Sequence, residues 1–100
     1  MGTKAINKKI VELEGQRGIL QILLALQRNG ELINRNLYNN QSIVKISNNS
    51  TAKRALVILQ RHGFITQRST EKQRAIYYRL TEKGERCAQL INELEKLLDE

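Results

Sequence analysis

Between Asn48 and Arg61 one short stretch gathers amides, hydroxyls and cations at helical spacing. Ala52, Ala55, Leu56 and Leu59 recur at i, i+3, i+4 and i+7, the signature of one buried helix face. Asn49, Ser50, Lys53, Arg54, Val57 and Arg61 then fall on the opposite side, and Asn48, Asn49, Ser50 and Thr51 gather at the N-terminal end. Asparagine can pair bidentately with adenine and arginine with guanine, and an apolar Val57 can meet a thymine methyl. Ser50 and Thr51 can reach bases or phosphates, and a helix N-terminus favours a phosphate. A plainer reading is that Asn48 or Asn49 only caps the helix and that the cations are a solvated face.

A second basic group lies further along. Arg68, Lys72 and Arg74, beside Ser69 and Thr70, fall at the tip of an expected hairpin, where they can contact phosphates or enter a minor groove. Arg35 opens a short helix and is a further phosphate candidate, and Arg79 a weaker one. Net charge is +7, and it is unevenly spread. Residues 1–81 hold 14 lysines and arginines against 4 acids, whereas residues 82–100 hold 3 against 6. A basic body with an acidic end fits a polyanion partner, and double-stranded DNA is the one that the helix surface matches.

Catalytic patterns are missing. His62, the sole histidine, sits at an expected helix end, and Cys87, the sole cysteine, reads as a packed core residue. No phosphate-binding loop, metal-ligand spacing or cofactor motif occurs, so a non-enzyme with no cofactor and no metal is expected. One cysteine excludes an internal disulfide. Met1 to Lys9 is polar and has no apolar stretch behind it, and no apolar run is long enough for a membrane. A cytoplasmic, nucleoid-associated protein is the expectation.

The elements that must hold these residues follow from periodicity and punctuation. Thr3 to Glu14 places Ile6, Ile10 and Leu13 on one helix face, with Thr3 as cap and Gly15 as stop. A second helix over Arg17 to Asn29 carries Ile19, Leu20, Ile22, Leu23, Leu24 and Leu26 and should be central. Glu31 to Ile33 is a short extended piece, and Asn34 caps a third helix with Leu37 and Tyr38. The turn from Asn39 to Ser47 has no readable boundaries. After Gly63 the period changes to two, giving strands over Phe64 to Arg68 and Ala75 to Leu80. Thr81 caps a last helix whose stripe is Cys87, Leu90, Ile91, Leu94, Leu97 and Leu98.

Two short helices followed by a hairpin form the layout of a winged helix-turn-helix, a mainly α class with a small β wing. Asn48 to Ile65 (NNSTAKRALVILQRHGFI) resembles the recognition helix and first wing strand of small prokaryotic regulators. Tyr77 to Gly84 (YYRLTEKG) resembles their second wing strand entering a C-terminal helix. The chain is thus similar to the bacterial and archaeal MarR/PadR-like transcriptional regulators from about Arg17 onward. It departs from them in a longer, asparagine-rich segment between the two helices of the motif.

The resemblance implies a single domain over 1–100, with an N-terminal helix (1–15), a core (17–81) and a C-terminal dimerisation helix (82–100). It implies sequence-specific DNA binding by a homodimer, with helix 48–62 in the major groove and wing 64–80 on the backbone or in the minor groove. Ile6, Ile10, Leu13, Cys87, Leu90, Ile91, Leu94, Leu97 and Leu98 would form the dimer interface. A non-specific architectural DNA-binding role and a protein-interaction role stay open. No effector, operator or regulatory sense is legible.

Overall fold

The computed structural model describes residues 2–38, 43–46, 48–70 and 75–100, with the Tyr38 side chain left aside. Its elements run α1 (Lys8–Glu14), α2 (Ile19–Asn29), β1 (Glu31–Ile33), α3 (Asn34–Tyr38), α4 (Asn49–Arg61), β2 (Ile65–Thr70), β3 (Ala75–Leu80) and α5 (Glu82–Leu98). The architecture is the expected winged helix-turn-helix, mainly α with a small antiparallel sheet.

The core forms around α2, where Ile19, Ile22, Leu23, Ala25 and Leu26 are buried. Leu37 from α3, Val44 and Ile46 from the irregular segment, and Ala52, Ala55, Leu56 and Leu59 from α4 close over it. Each large aliphatic side chain so buried contributes roughly 1.5–3 kcal/mol. Gly18 lets Ile46 in. It has φ +98°, and a Cβ there would lie 2.5 Å from the Ile46 Cδ1. That left-handed turn also sets the start of α2 at Ile19, two residues later than the sequence suggests.

The sheet order is β1–β3–β2. Glu31 to Ile33 is therefore an edge strand, paired through Leu32 with Tyr78. On the hairpin Thr66 faces Arg79, Arg68 faces Tyr77, and Thr70 faces Ala75. Tyr78 turns inward and is buried, whereas Arg79 is exposed. β2 starts one residue later than expected. The Phe64 N–H donates to the Leu59 carbonyl, so Phe64 closes α4 rather than opening the strand.

Helix α1 is shorter than expected. Asn7, not Thr3, is its cap, with Oδ1 accepting from the Lys9 N–H at 2.7 Å. Asparagine outranks threonine in this role, and the residues before it stay outside the helix. In α5 the inward residues are Gly84 and Ala88, supported by half-buried Cys87 and Ile91. Leu90, Leu94, Leu97 and Leu98 of the expected stripe are exposed.

Candidate nucleic-acid interface

The α4 helix is anchored by four buried residues on one side, which fixes what the other side presents. Asn48 has extended backbone (φ −123°, ψ 122°), and its Oδ1 accepts from the N–H groups of Ser50 at 2.7 Å and Thr51 at 3.4 Å. Its oxygen is thus committed to the cap, the plainer of the two sequence readings, and the amide nitrogen is the polar atom left for another contact. Thr51 is half-buried, and its carbonyl accepts from Gln16 Nε2 at 3.1 Å.

Asn49, Ser50, Lys53, Arg54, Val57 and Arg61 are all exposed. Ser50, Arg54, Val57 and Arg61 are spaced i, i+4, i+7 and i+11, so they form a single stripe along roughly 16 Å of helix. Val57 is 57 % exposed, an aliphatic side chain held in water between two arginines. The folding of the core does not explain it.

The C-terminal end of α4 is pinned from both sides. One Glu12 oxygen is 2.7 Å from an Arg61 guanidinium nitrogen, and the other is 2.6 Å from His62 Nε2. The hydrogen bond with His62, joined by the Arg61 charge, outweighs desolvation and holds the Glu12 carboxyl below its ordinary value of 4.5. Lys83 donates to the His62 carbonyl at 2.8 Å and lies over the Phe64 ring.

On the wing, Arg68 lies within the sheet rather than at its tip. It donates through Nε and a terminal nitrogen to both Glu31 oxygens, at 3.0 and 2.8 Å, and sits 4.3 Å over the Tyr77 ring. The Arg68 hydrogen bonds lower the Glu31 carboxyl, and Glu31 in turn raises Arg68. Lys72 and Arg74 lie outside the described residues. Arg35 is exposed at the start of α3.

The expected site residues therefore divide. Asn48 through Arg61 come together on one helix, while Arg35 and Arg68 belong to separate elements. Glu12, Gln16 and Glu31 join these groups and were missed, since each acts across 35 or more residues and carries no local signal.

The expected interface residues divide as well. Ile6, Ile10, Leu90, Leu94, Leu97 and Leu98 are exposed, from 44 % at Leu94 to 75 % at Leu98. Leu13, Cys87 and Ile91 pack partly on the core. Between α1, α2 and α5 lies an apolar groove of about 530 Å³, lined by Ile10, Leu13, Ile19, Leu20, Cys87 and Ile91 among others. Burial pushes the Cys87 thiol up, so it is protonated at neutral pH. Among the described residues no cluster of histidine, cysteine and acidic side chains could hold a metal, and no helix is long and apolar enough to cross a membrane.

No protein-family model matches the chain, and no curated sequence does. Solved structures do. The chain is similar to NadR, crystallised with 4-hydroxyphenylacetate, at TM-score 0.65 and 19 % identity, over 99 % of this chain and 81 % of that one. The apo form of a double mutant of Lactococcus lactis ZitR follows at TM-score 0.61 and 21 % identity, over 92 % of this chain and 68 % of that one. A transcriptional regulator from Clostridium thermocellum gives TM-score 0.61 and 21 % identity, over 95 % and 92 %. At these identities the likeness is one of fold, the winged helix.

Proposed function

We propose that the protein is a sequence-specific transcription regulator that binds double-stranded DNA as a homodimer. The observation that carries this reading is the outward stripe of α4. Ser50, Arg54, Val57 and Arg61, flanked by Asn49 and Lys53, stand exposed on a helix whose other face is locked into the core. A helix of this size fits the major groove, and its N-terminal half reaches base edges. Arg54 is assigned to a guanine, Asn49 to an adenine and Val57 to a thymine methyl. Ser50, Thr51, Lys53, Arg61 and the Asn48 amide are left for phosphates and flanking contacts, with Arg35 on the backbone. In the wing, Arg68, Lys72 and Arg74 are assigned to the backbone or minor groove.

On this reading residues 17–81 form the DNA-reading body, and 1–15 with 82–100 form the dimer part. Leucines 90, 94, 97 and 98 leave an apolar face on α5 that a second copy would cover, together with Ile6, Ile10 and the groove. Such a dimer presents two α4 helices to successive major grooves about 34 Å apart. The acidic balance of residues 82–100 suits a segment held away from DNA. One fold neighbour is a transcriptional regulator, which supports a regulatory rather than an enzymatic role.

A gel-shift titration with Lys53→Ala and Arg54→Ala tests the assignment. Loss of affinity in both is expected, and unchanged affinity in both would remove α4 from the DNA interface. Equal wild-type affinity for every sequence at fixed salt would point to an architectural role instead.

A further inference from the structure

We propose that Glu12 is an intramolecular competitor of DNA, holding Arg61 on α1 and away from phosphate. The inference rests on the reading of α4 as the DNA-contacting helix. Arg61 belongs to the same stripe as Ser50, Arg54 and Val57, at its C-terminal end, where a helix leaving the groove meets the sugar-phosphate backbone. In the structure that position is occupied by an acid. Glu12 is 2.7 Å from the Arg61 guanidinium, and its second oxygen is fixed by His62 at 2.6 Å. The carboxylate is therefore held in place from two sides, and it puts a negative charge at the edge of the surface that must accept phosphates.

The contact is built to be exchangeable. The Arg61 and Glu12 side chains are 61 % and 42 % exposed, so water and salt reach the pair and it is weak. The helix that carries Glu12 is itself lightly held. No residue of α1 is buried; among the described residues it meets the core edge through Leu13, and polar ties come from Glu12 and from Gln16, two residues past its end, on the Thr51 carbonyl. Both polar ties end on α4 or its cap. Ile10 and Leu13 of the same two-turn helix line the apolar groove with Cys87 and Ile91.

The test uses the full chain, wild type and E12Q, E12A, R61A, R54A and E12Q/R61A, titrated against labelled random-sequence duplex DNA over a range of salt. Random-sequence DNA suffices because the competitor is a phosphate contact. E12Q and E12A are expected to bind about 1.5- to fivefold tighter per protomer at low salt, the span of one weak exposed ion pair. The slope of log affinity against log salt should steepen by about 0.9 per protomer as one more phosphate is neutralised. The gain must vanish in E12Q/R61A relative to R61A. Equal or weaker binding by E12Q and E12A overturns the proposal, as does the same gain in the R61A background. If R54A weakens binding and neither Glu12 variant strengthens it, the competitor role alone fails. If neither R54A nor the Glu12 variants change affinity, the DNA reading of α4 fails with it. Circular dichroism and sedimentation of each variant keep the comparison at equal fold and oligomeric state.

Discussion

Gly84→Ala should unfold this protein far more readily than its chemistry suggests. Gly84 is the third residue of α5, and in a free helix alanine would be favoured over glycine there by about 1 kcal/mol. Here the start of α5 is seated directly on the end of α4 and the start of the wing. A Cβ on Gly84 would overlap the Phe64 carbonyl oxygen and lie 2.8 Å from the carbonyl carbon. The obstacle is backbone, so no rotamer relieves it. The same carbonyl accepts from the Thr81 N–H at 3.0 Å, and the Thr81 hydroxyl donates to the Gly63 carbonyl at 2.6 Å while accepting from the Gly84 N–H at 3.0 Å. To make room, α5 must retreat and strain or break these bonds, each contributing about 1 kcal/mol. Overpacking at a buried site adds roughly 1–3 kcal/mol. Set against the helix gain, the net loss is about 3 kcal/mol, a fall in Tm on the order of 15 °C for a domain of this size. Thermal and urea denaturation followed by circular dichroism measure it, with Gly30→Ala as comparator. Gly30 has φ +81° and ψ −63°, and a Cβ there would have nothing within 4 Å, so that change costs only its strained positive-φ backbone, about 1–3 kcal/mol. A Gly84→Ala protein that melts within about 3 °C of wild type, or that is more stable than Gly30→Ala, would show that the Phe64 carbonyl does not demand a glycine at this position.

Other outcomes follow from the same contacts. Asn48→Ala removes the α4 cap and should cost about 1 kcal/mol in urea denaturation, with Asn48→Ser restoring most of it. The Glu12 carboxyl is held below 4.5 in the fold, so its contribution to stability is full above that value and is lost as pH falls through the lowered one. The gap in Tm between wild type and E12Q should therefore close as pH falls below 4.5; a gap that persists unchanged to about pH 3 would show that the Glu12 carboxylate does not contribute to stability in this way. Leu90→Ser combined with Leu97→Ser removes two of the most exposed leucines of α5 and should convert a dimer to monomer in sedimentation without lowering the monomer's helix content. A double variant that sediments as wild type would remove these leucines from any dimer interface.

The parts of the fold that were legible in the sequence are those encoded by neighbouring residues. The 3.6-residue recurrence of Ala52, Ala55, Leu56 and Leu59 names the buried face of α4, and hence the exposed one. The change to period two after Gly63 marks the wing, and Ala75 to Leu80 is a strand as expected. Contacts between distant segments were not legible. Val44 and Ile46 are almost fully buried, yet their segment has no period, and what admits Ile46 is the left-handed turn at Gly18. Ala88, the fully buried residue of α5, is too small to stand out in a stripe of leucines. In the candidate site, charge counting found the cations but not the acids set against them. Arg61 and Arg68 read as free basic groups, whereas Glu12 and Glu31, from the other end of the chain or the sheet edge, hold them. The sign of a charge is written in the sequence, but its partner is set by the fold.

Whether the outward stripe of α4 reads bases is the question on which the proposed function rests. Selection of bound sites from a random DNA pool, run with the wild type and with Arg54→Ala, measures that directly. The wild type is expected to enrich an inverted repeat with half-sites one helical turn, or a multiple of it, apart. Arg54→Ala is expected to relax preference at one base pair in each half-site and to leave the others in place. Recovery of all sequences alike, or an identical motif from both proteins, would contradict base reading by this helix.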